Sequence, residues 1–291
     1  MRFGGHETFT IRPGWLSKGL RHVEAEPAAP FDALEVIDAL GVGRNMGRSI
    51  WHWLQVTGLA ERQREQIALT GLGRLIGERD PFLQHAASWW AIHVTLVTQP
   101  DAALAWSWFF GEFDRNRFDR LACVDELLRA LQRRGERLPS VRTLSRDVAC
   151  LLQSYASALP PEPDDPEDAT DCPLRRLGLL VLHRDTGIYE RRFEVRPVPP
   201  EILGMTLCRM RRDETGERIE VPFSDALILP GGPGRVLALD ADGMSELIEG
   251  AEAVLGFARI RSALHGAERM IDVERLLPAA WLEAYYDRVG A

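Results

Sequence analysis

Residues 40–59, LGVGRNMGRSIWHWLQVTGL, constrain the fold of this chain more than any other stretch. Wound as a helix from Arg44 at about 100° per residue, they gather Met46, Ile50, Trp53, Leu54 and Thr57 on one arc. Arg44, Asn45, Arg48, Trp51, His52 and Gln55 face the other way. The apolar arc is a seam for a preceding helix, and the opposite arc carries cations, amides, an imidazole and an indole, a face suited to DNA. Phe31, Leu34, Ile37 and Leu40 have the spacing of the short amphipathic helix that would fill the seam. Gly41 and Gly43 allow a tight inter-helix turn, and Gly58 closes the second helix. In residues 59–70 the polar run 61–66 precedes Ile67, Ala68 and Leu69, the pattern of a two-stranded wing with a charged tip. The spacing predicts a winged helix-turn-helix. A plain helical hairpin with a solvated basic face is the alternative, and winged helices also serve as protein-binding modules.

At 291 residues the chain exceeds one typical domain. Residues 159–171, LPPEPDDPEDATD, hold four prolines and six acidic side chains with almost nothing to pack, so they read as a linker. The expected organisation is mainly α (α+β). Residues 1–157 form a winged helix with a helical bundle, 158–171 a linker, and 172–291 a smaller α+β, winged-helix-like domain. No apolar run of about 18 residues exists to span a membrane, and Met1 and Arg2 lead into FGGHETF in place of a signal sequence, which predicts a cytoplasmic protein. The net charge of −8 is uneven: residues 1–157 hold 19 basic and 18 acidic side chains, and residues 158–291 hold 16 and 25. A near-neutral first half with a basic helix can bind DNA in a salt-dependent way, and the acidic second half suits protein partners.

Residues 3–19, FGGHETFTIRPGWLSKG, are dense in reactive side chains. Gly4 and Gly5 permit close backbone approach to a phosphate, with His6 and Glu7 beside them and Arg12 and Lys18 following. Two readings stay open: an active-site segment, with His6 and Glu7 catalytic and Arg12 and Lys18 on phosphates, or a structural arm in which Glu7 pairs with Arg12. Asp32, Asp80 or Glu112 would be needed to complete a metal site. Cys123, Cys150, Cys172 and Cys208 never form a C-x-x-C pair and read as reduced buried thiols. No P-loop, G-x-S-x-G, dinucleotide fingerprint or H-E-x-x-H is present.

Elsewhere the periodicity predicts helices around Trp89 to Leu96, over 103–113, 124–131 and 141–155, and over 200–210 and 273–286. The aromatic cluster from Trp89 to Phe113 reads as core, with His93 a satisfied core histidine. Residues 177–195 read as a hairpin around Asp185-Thr186-Gly187, 236–239 as a strand, and Asp242 as the cap of a helix through Ile248.

Taken in order, FGGHETFTIRPGWLSKG, LGVGRNMGRSIWHW, LTGLGRLIGERDPFL, WSWFFGEF, TLSRDV, CPLRRLGLL and PGRV cover nearly the whole chain. Together they resemble the bacterial domain family found in SspB, a component of the Ssp single-stranded DNA phosphorothioation system. The resemblance implies a DNA-nicking component, dependent on a divalent metal such as Mg or Mn. It also implies partnership with a cysteine desulfurase and a sulfur-transfer ATPase in phage defence. It supplies no catalytic residues, so His6 and Glu7 rest on their chemistry alone.

Overall fold

The chain opens on α1 (Trp15–Ala25), α2 (Leu34–Leu40) and α3 (Arg44–Val56), as seen in a computed structural model that describes residues 3–26, 30–64, 66–160 and 171–291. Helices α1 and α3 cross so closely that a Cβ on Gly19 would stand 2.7 Å from Leu54 Cδ1. Ile50, Trp53 and Leu54 fill that crossing and are fully buried, as the apolar arc requires. Helix α2 ends at Gly41, whose φ of 65° is the left-handed cap that glycine adopts without strain. After α3 the chain forms the antiparallel hairpin β1 (Ala60–Gln63) and β2 (Gln66–Leu69), with Ala60 opposite Leu69. Helix, glycine turn, helix and hairpin thus follow in the expected order. The register of α2 differs: it buries Val36 and Leu40, while Leu34 is 64% exposed. Phe31 precedes the helix, and its carbonyl fills the notch that Gly47 leaves open, 2.2 Å from an added Cβ.

Next come α4 (Gly71–Arg79), α5 (Ala86–Val97), α6 (Leu104–Gly111), the short β3 (Arg117–Phe118), α7 (Arg120–Arg133) and α8 (Val141–Tyr155). Thr70, Asp119 and Ser140 start α4, α7 and α8 by accepting a backbone N–H three residues on. Trp89, Trp90, Trp106, Trp108, Phe109 and Phe110 are all buried, so the aromatic run is core. His93 is fully buried with Nδ1 2.8 Å from the Tyr155 hydroxyl and Nε2 2.8 Å from the Val236 carbonyl. Burial pushes its pKa down to about 4, so it is neutral and satisfied at pH 7.

The remaining elements are β4 (Ala156–Leu159), a 3-10 turn at Pro173–Leu177, β5 (Leu180–His183), β6 (Ile188–Arg191), α9 (Pro200–Met210), β7 (Arg218–Pro222), α10 (Phe223–Ile228), α11 (Pro233–Val236), α12 (Ala241–Leu255), β8 (Ile260–His265), β9 (Glu268–Glu274) and α13 (Pro278–Val289). One sheet runs β3-β6-β5-β4, with β4 parallel to β5, and another runs β7-β9-β8. The hairpin around 185–187 and the helix at 200–210 match expectation. Three readings are corrected. Val236 ends the short helix α11 and is not in a strand, Asp240 and not Asp242 caps α12 by accepting from Gly243 N–H, and Val273 lies in β9, ahead of a helix that starts only at Pro278. The four cysteines are free and buried. Among the described residues no helix is long and apolar enough to cross a membrane.

Most of the expected linker, residues 161–170, lies outside the described residues. The halves on either side share a sheet, through β4 and β5, and one continuous core. Ser88 Oγ lies 2.7 Å from the Tyr286 hydroxyl, and Arg79 pairs with Asp287 at 2.8 Å. Limited proteolysis is therefore expected to cut first between 159 and 171, where prolines and acids offer no packing, and to leave two fragments that co-elute on gel filtration. Fragments that separate under native conditions would contradict the shared core.

Candidate nucleic-acid interface

Helix α3 presents Arg44, Asn45, Arg48 and Gln55 as exposed side chains, with Trp51 and His52 half-buried between them. Its first turn holds no acidic residue, and its cap, Gly43, brings no side chain to the free N–H groups. Arg48 Nε and Nη2 both reach Asp32 Oδ2 at 3.1 Å, in a pair that is 50% and 40% exposed. Such an exposed pair contributes at most about 1 kcal/mol, so the guanidinium can exchange Asp32 for a phosphate. Trp51 stacks on Phe31 with ring centroids 5.8 Å apart, and the Arg62 guanidinium lies 6.0 Å from its ring. Burial, and then the neighbouring His6, push the His52 pKa down to about 3. His52 therefore offers a hydrogen bond and no charge.

The N-terminal segment is laid across α3 and α8 through its backbone. Ser49 Oγ donates to the His6 carbonyl at 3.0 Å, and Trp53 Nε1 donates to the Phe9 carbonyl at 3.1 Å. His6 is 1% exposed. Its Nδ1 accepts the Thr8 N–H at 3.0 Å, which leaves the ring proton on Nε2, 3.1 Å from Asp147 Oδ1. The same oxygen accepts the Gly4 N–H at 3.0 Å. With both ring nitrogens engaged inside the protein, His6 is a clasp for the arm and not a solvent-facing base. Asp147, on α8, was not singled out from the sequence; it is 1% exposed. Its signal was a carboxylate directly beside the buried Val148, inside a strongly amphipathic helix.

Holding His6 in place sets its neighbour. Glu7 and Thr8 have φ values of 50° and 68°, left-handed conformations that cost about 1–3 kcal/mol each for residues with side chains. The Thr8 N–H to His6 Nδ1 bond and the Phe9 N–H to His6 carbonyl bond, 2.8 Å, hold this turn. It turns Glu7 into a cleft of about 660 Å³ whose wall also includes Arg48, His52, Gln55, Asp101 and Arg212. A Cβ on Gly5 would stand 2.4 Å from His52 Nδ1, so only glycine lets the arm lie this close to α3.

Other expected site residues lie elsewhere. Arg12 sits over the rings of Phe9 and Trp15, 5.5 Å from each centroid, and no Glu7–Arg12 pair forms among the described residues. Lys18 Nζ donates to the Leu40 carbonyl at 3.0 Å, capping α2. Neither lines the cleft. Arg212, just beyond α9, takes that position; nothing in the sequence brings it there. Asp32 is held by Arg48, Asp80 is buried and accepts from Gln84 N–H, His85 N–H and Ser88 Oγ, and Glu112 pairs with Arg134. None of them joins His6. Among the described residues no three His, Cys, Asp or Glu side chains gather to cage a metal.

Two solved structures share this fold. A magnesium ion-bound SspB crystal structure superposes with a TM-score of 0.86 at 23% sequence identity, covering 99% of this chain and 89% of that one. A second SspB crystal structure gives 0.85 at 22% identity with the same coverage. The fold is therefore SspB-like. No curated protein matches the sequence at a significant level. The sequence profile of DUF4007, described as a protein of unknown function, matches residues 3–286, and the chain belongs to that family.

Proposed function

We propose that this chain is the SspB-like component of a DNA phosphorothioation system and that it binds DNA along α3 and the adjoining cleft. In this reading α2, α3 and the β1–β2 hairpin are a winged helix, α3 enters a groove, and the arm closes one side of the cleft. A cysteine desulfurase and a sulfur-transfer ATPase of the same system are the expected protein partners. The observation that carries the reading is the continuity of the exposed α3 face with the cleft through Arg48, His52 and Gln55. Arginine and asparagine read base edges or grip phosphates, and glutamine and neutral histidine add directional hydrogen bonds. Fluorescence anisotropy with labelled DNA tests it. Arg44→Ala is expected to weaken binding by about 1–3 kcal/mol if it reads a base, or to reduce the salt slope by about 1 if it grips a phosphate. Arg44→Ala and Asn45→Ala variants that fold and bind like wild type would remove α3 from the interface.

Strand cleavage is the second reading, and the two carboxylates that line the cleft, Glu7 and Asp101, favour it. Magnesium binds through one or two carboxylates, water and substrate phosphate, without a protein cage. Those two side chains would hold it, and the ion would supply neutralisation of charge building on the phosphate. Arg48 and Arg212, on the same cleft, would orient the phosphate.

A further inference from the structure

Arg209, at the C-terminal end of α9, is a guanidinium without an acid. It is half-buried, its Nε donates to the Thr98 hydroxyl, and among the described residues no carboxylate lies within ion-pair distance. Burial, and then Arg212, lower its pKa to about 10, so it is charged at neutral pH. A cation drawn partly out of water with no counter-ion is costly unless an anion completes it.

The surroundings point to which anion. Arg209 lines a cleft of about 400 Å³ together with Gln55, Thr70, Thr95 and Gln99. Thr95 is 3% exposed, and its hydroxyl has no partner among the described residues. Glu61 also lines this cleft; it is exposed, accepts from Gln63 and makes no ion pair with Arg209. Gln55 and Gln99 also line the 660 Å³ cleft beside α3, so the two clefts adjoin. On its other side Arg209 lines a third cleft with Arg212, and Arg212 in turn lines the first. Arg48, Arg212 and Arg209 therefore line adjoining clefts, the first two sharing Gln55 and Gln99, with Glu7 and Asp101 on the first and Glu112 and Asp213 on the third. The Arg209 cleft, about 400 Å³, has the size that takes a small molecule, so a nucleotide of one strand fits within it.

We infer that Arg209, steadied by Thr98, binds a backbone phosphate of a single DNA strand that leaves the α3 cleft across Gln55 and Gln99. The inference rests on the proposed DNA binding and extends it to a strand path shared by both halves of the chain. The test uses the full chain, a fluorescein-labelled oligothymidylate and a duplex of equal length, titrated at several salt concentrations. Arg209→Gln is expected to lower oligothymidylate affinity about tenfold and to reduce the slope of log K against log salt by about 0.7, the share of one single-strand phosphate. Duplex affinity should change less. Arg209→Lys keeps a point charge and should restore the slope, which separates a phosphate contact from damage to the fold. Unaltered affinity and slope in Arg209→Gln, while Arg44→Ala still weakens binding, would overturn the inference and leave the DNA-binding reading standing. Absence of any DNA binding by the wild type would overturn both.

Discussion

Replacing Asp147 with alanine is expected to destabilise the protein by about 3 kcal/mol or more and to free the N-terminal arm. Asp147 Oδ1 takes two hydrogen bonds, from His6 Nε2 and from the Gly4 N–H, at a site where Asp147 and His6 are each 1% exposed. Losing the acceptor strands the buried His6 donor, at a cost of about 1–3 kcal/mol, and removes the Gly4 bond, where a hydrogen bond to a charged group contributes about 1.5–3 kcal/mol. Among the described residues no other carboxylate bonds His6 Nε2 or the Gly4 N–H, so the cost falls on the arm itself. Urea unfolding should show a lower midpoint with an unchanged m-value. A protease that cuts after exposed aromatic residues should then cleave around Phe3 or Phe9, which the wild type protects by packing. Asp147→Asn, which keeps a carbonyl acceptor, should lie between the two. An unfolding free energy within about 0.5 kcal/mol of wild type for Asp147→Ala, the scatter of surface substitutions, would show that the clasp does not hold the arm.

What the sequence disclosed divides along the range of the interactions involved. Helix α3 was legible because Ile50, Trp53 and Leu54 recur at the helical period and every one is buried. Helix α8 was legible for the same reason, through Leu144, Val148, Leu151, Leu152 and Tyr155. The cleft was not, because it is assembled from the arm, α3, the segment after α5 and Arg212, two residues beyond α9. The bond from His6 to Asp147 spans 141 residues, and no local pattern announces it. Local patterns also misled where apolar runs were short. Val236, Leu237, Ala238 and Leu239 are all buried, and four consecutive buried residues look alike as strand or helix. Val273, Leu276, Leu277 and Trp281 have a near-helical spacing, yet Val273 completes β9 against Ile219 and Ile260 before Pro278 starts α13. In β8, Arg261 to His265 are largely exposed, so the alternation that marks a half-buried strand is missing.

The arm settles into two physically distinct parts, and that distinction decides how its residues should respond to mutation. His6 is a buried donor and acceptor, Arg12 a cation on two rings and Lys18 a helix cap, each serving the fold. Glu7 is the part that reaches the cleft, on a backbone turn that His6 holds in a conformation unfavourable for a residue with a side chain. Strain of this kind persists where neighbours over-determine it, and it positions side chains at sites of function. The same logic explains Gly5, whose missing Cβ lets the turn lie against the His52 ring. His52 stays neutral there, so the charge lining this cleft comes from Arg48, Arg212, Glu7 and Asp101.

Glu7→Gln is accordingly expected to leave the melting temperature within about 2 °C of wild type, as for a surface substitution. Under the cleavage reading it should slow magnesium-dependent relaxation of supercoiled plasmid by about 100-fold or more. The glutamine preserves the length and the hydrogen-bonding shape of the side chain, so the arm keeps its turn while the negative charge disappears. DNA affinity measured without metal should hold or rise slightly, since removing a carboxylate from a phosphate-binding wall relieves repulsion. His6→Ala should behave in the opposite sense, because it leaves the buried Asp147 Oδ1 with the Gly4 N–H alone and opens a cavity beside Trp53 and Trp106. Its unfolding midpoint should fall, and any loss of nicking should track the loss of folded protein. The comparison separates the two parts of the arm in one experiment. Nicking by Glu7→Gln at the wild-type rate would remove the carboxylate from the reaction and leave Asp101 as the other acid lining the cleft to test. A wild type that binds plasmid but never opens it, with Mg²⁺ or Mn²⁺, would leave DNA binding as the whole of the function.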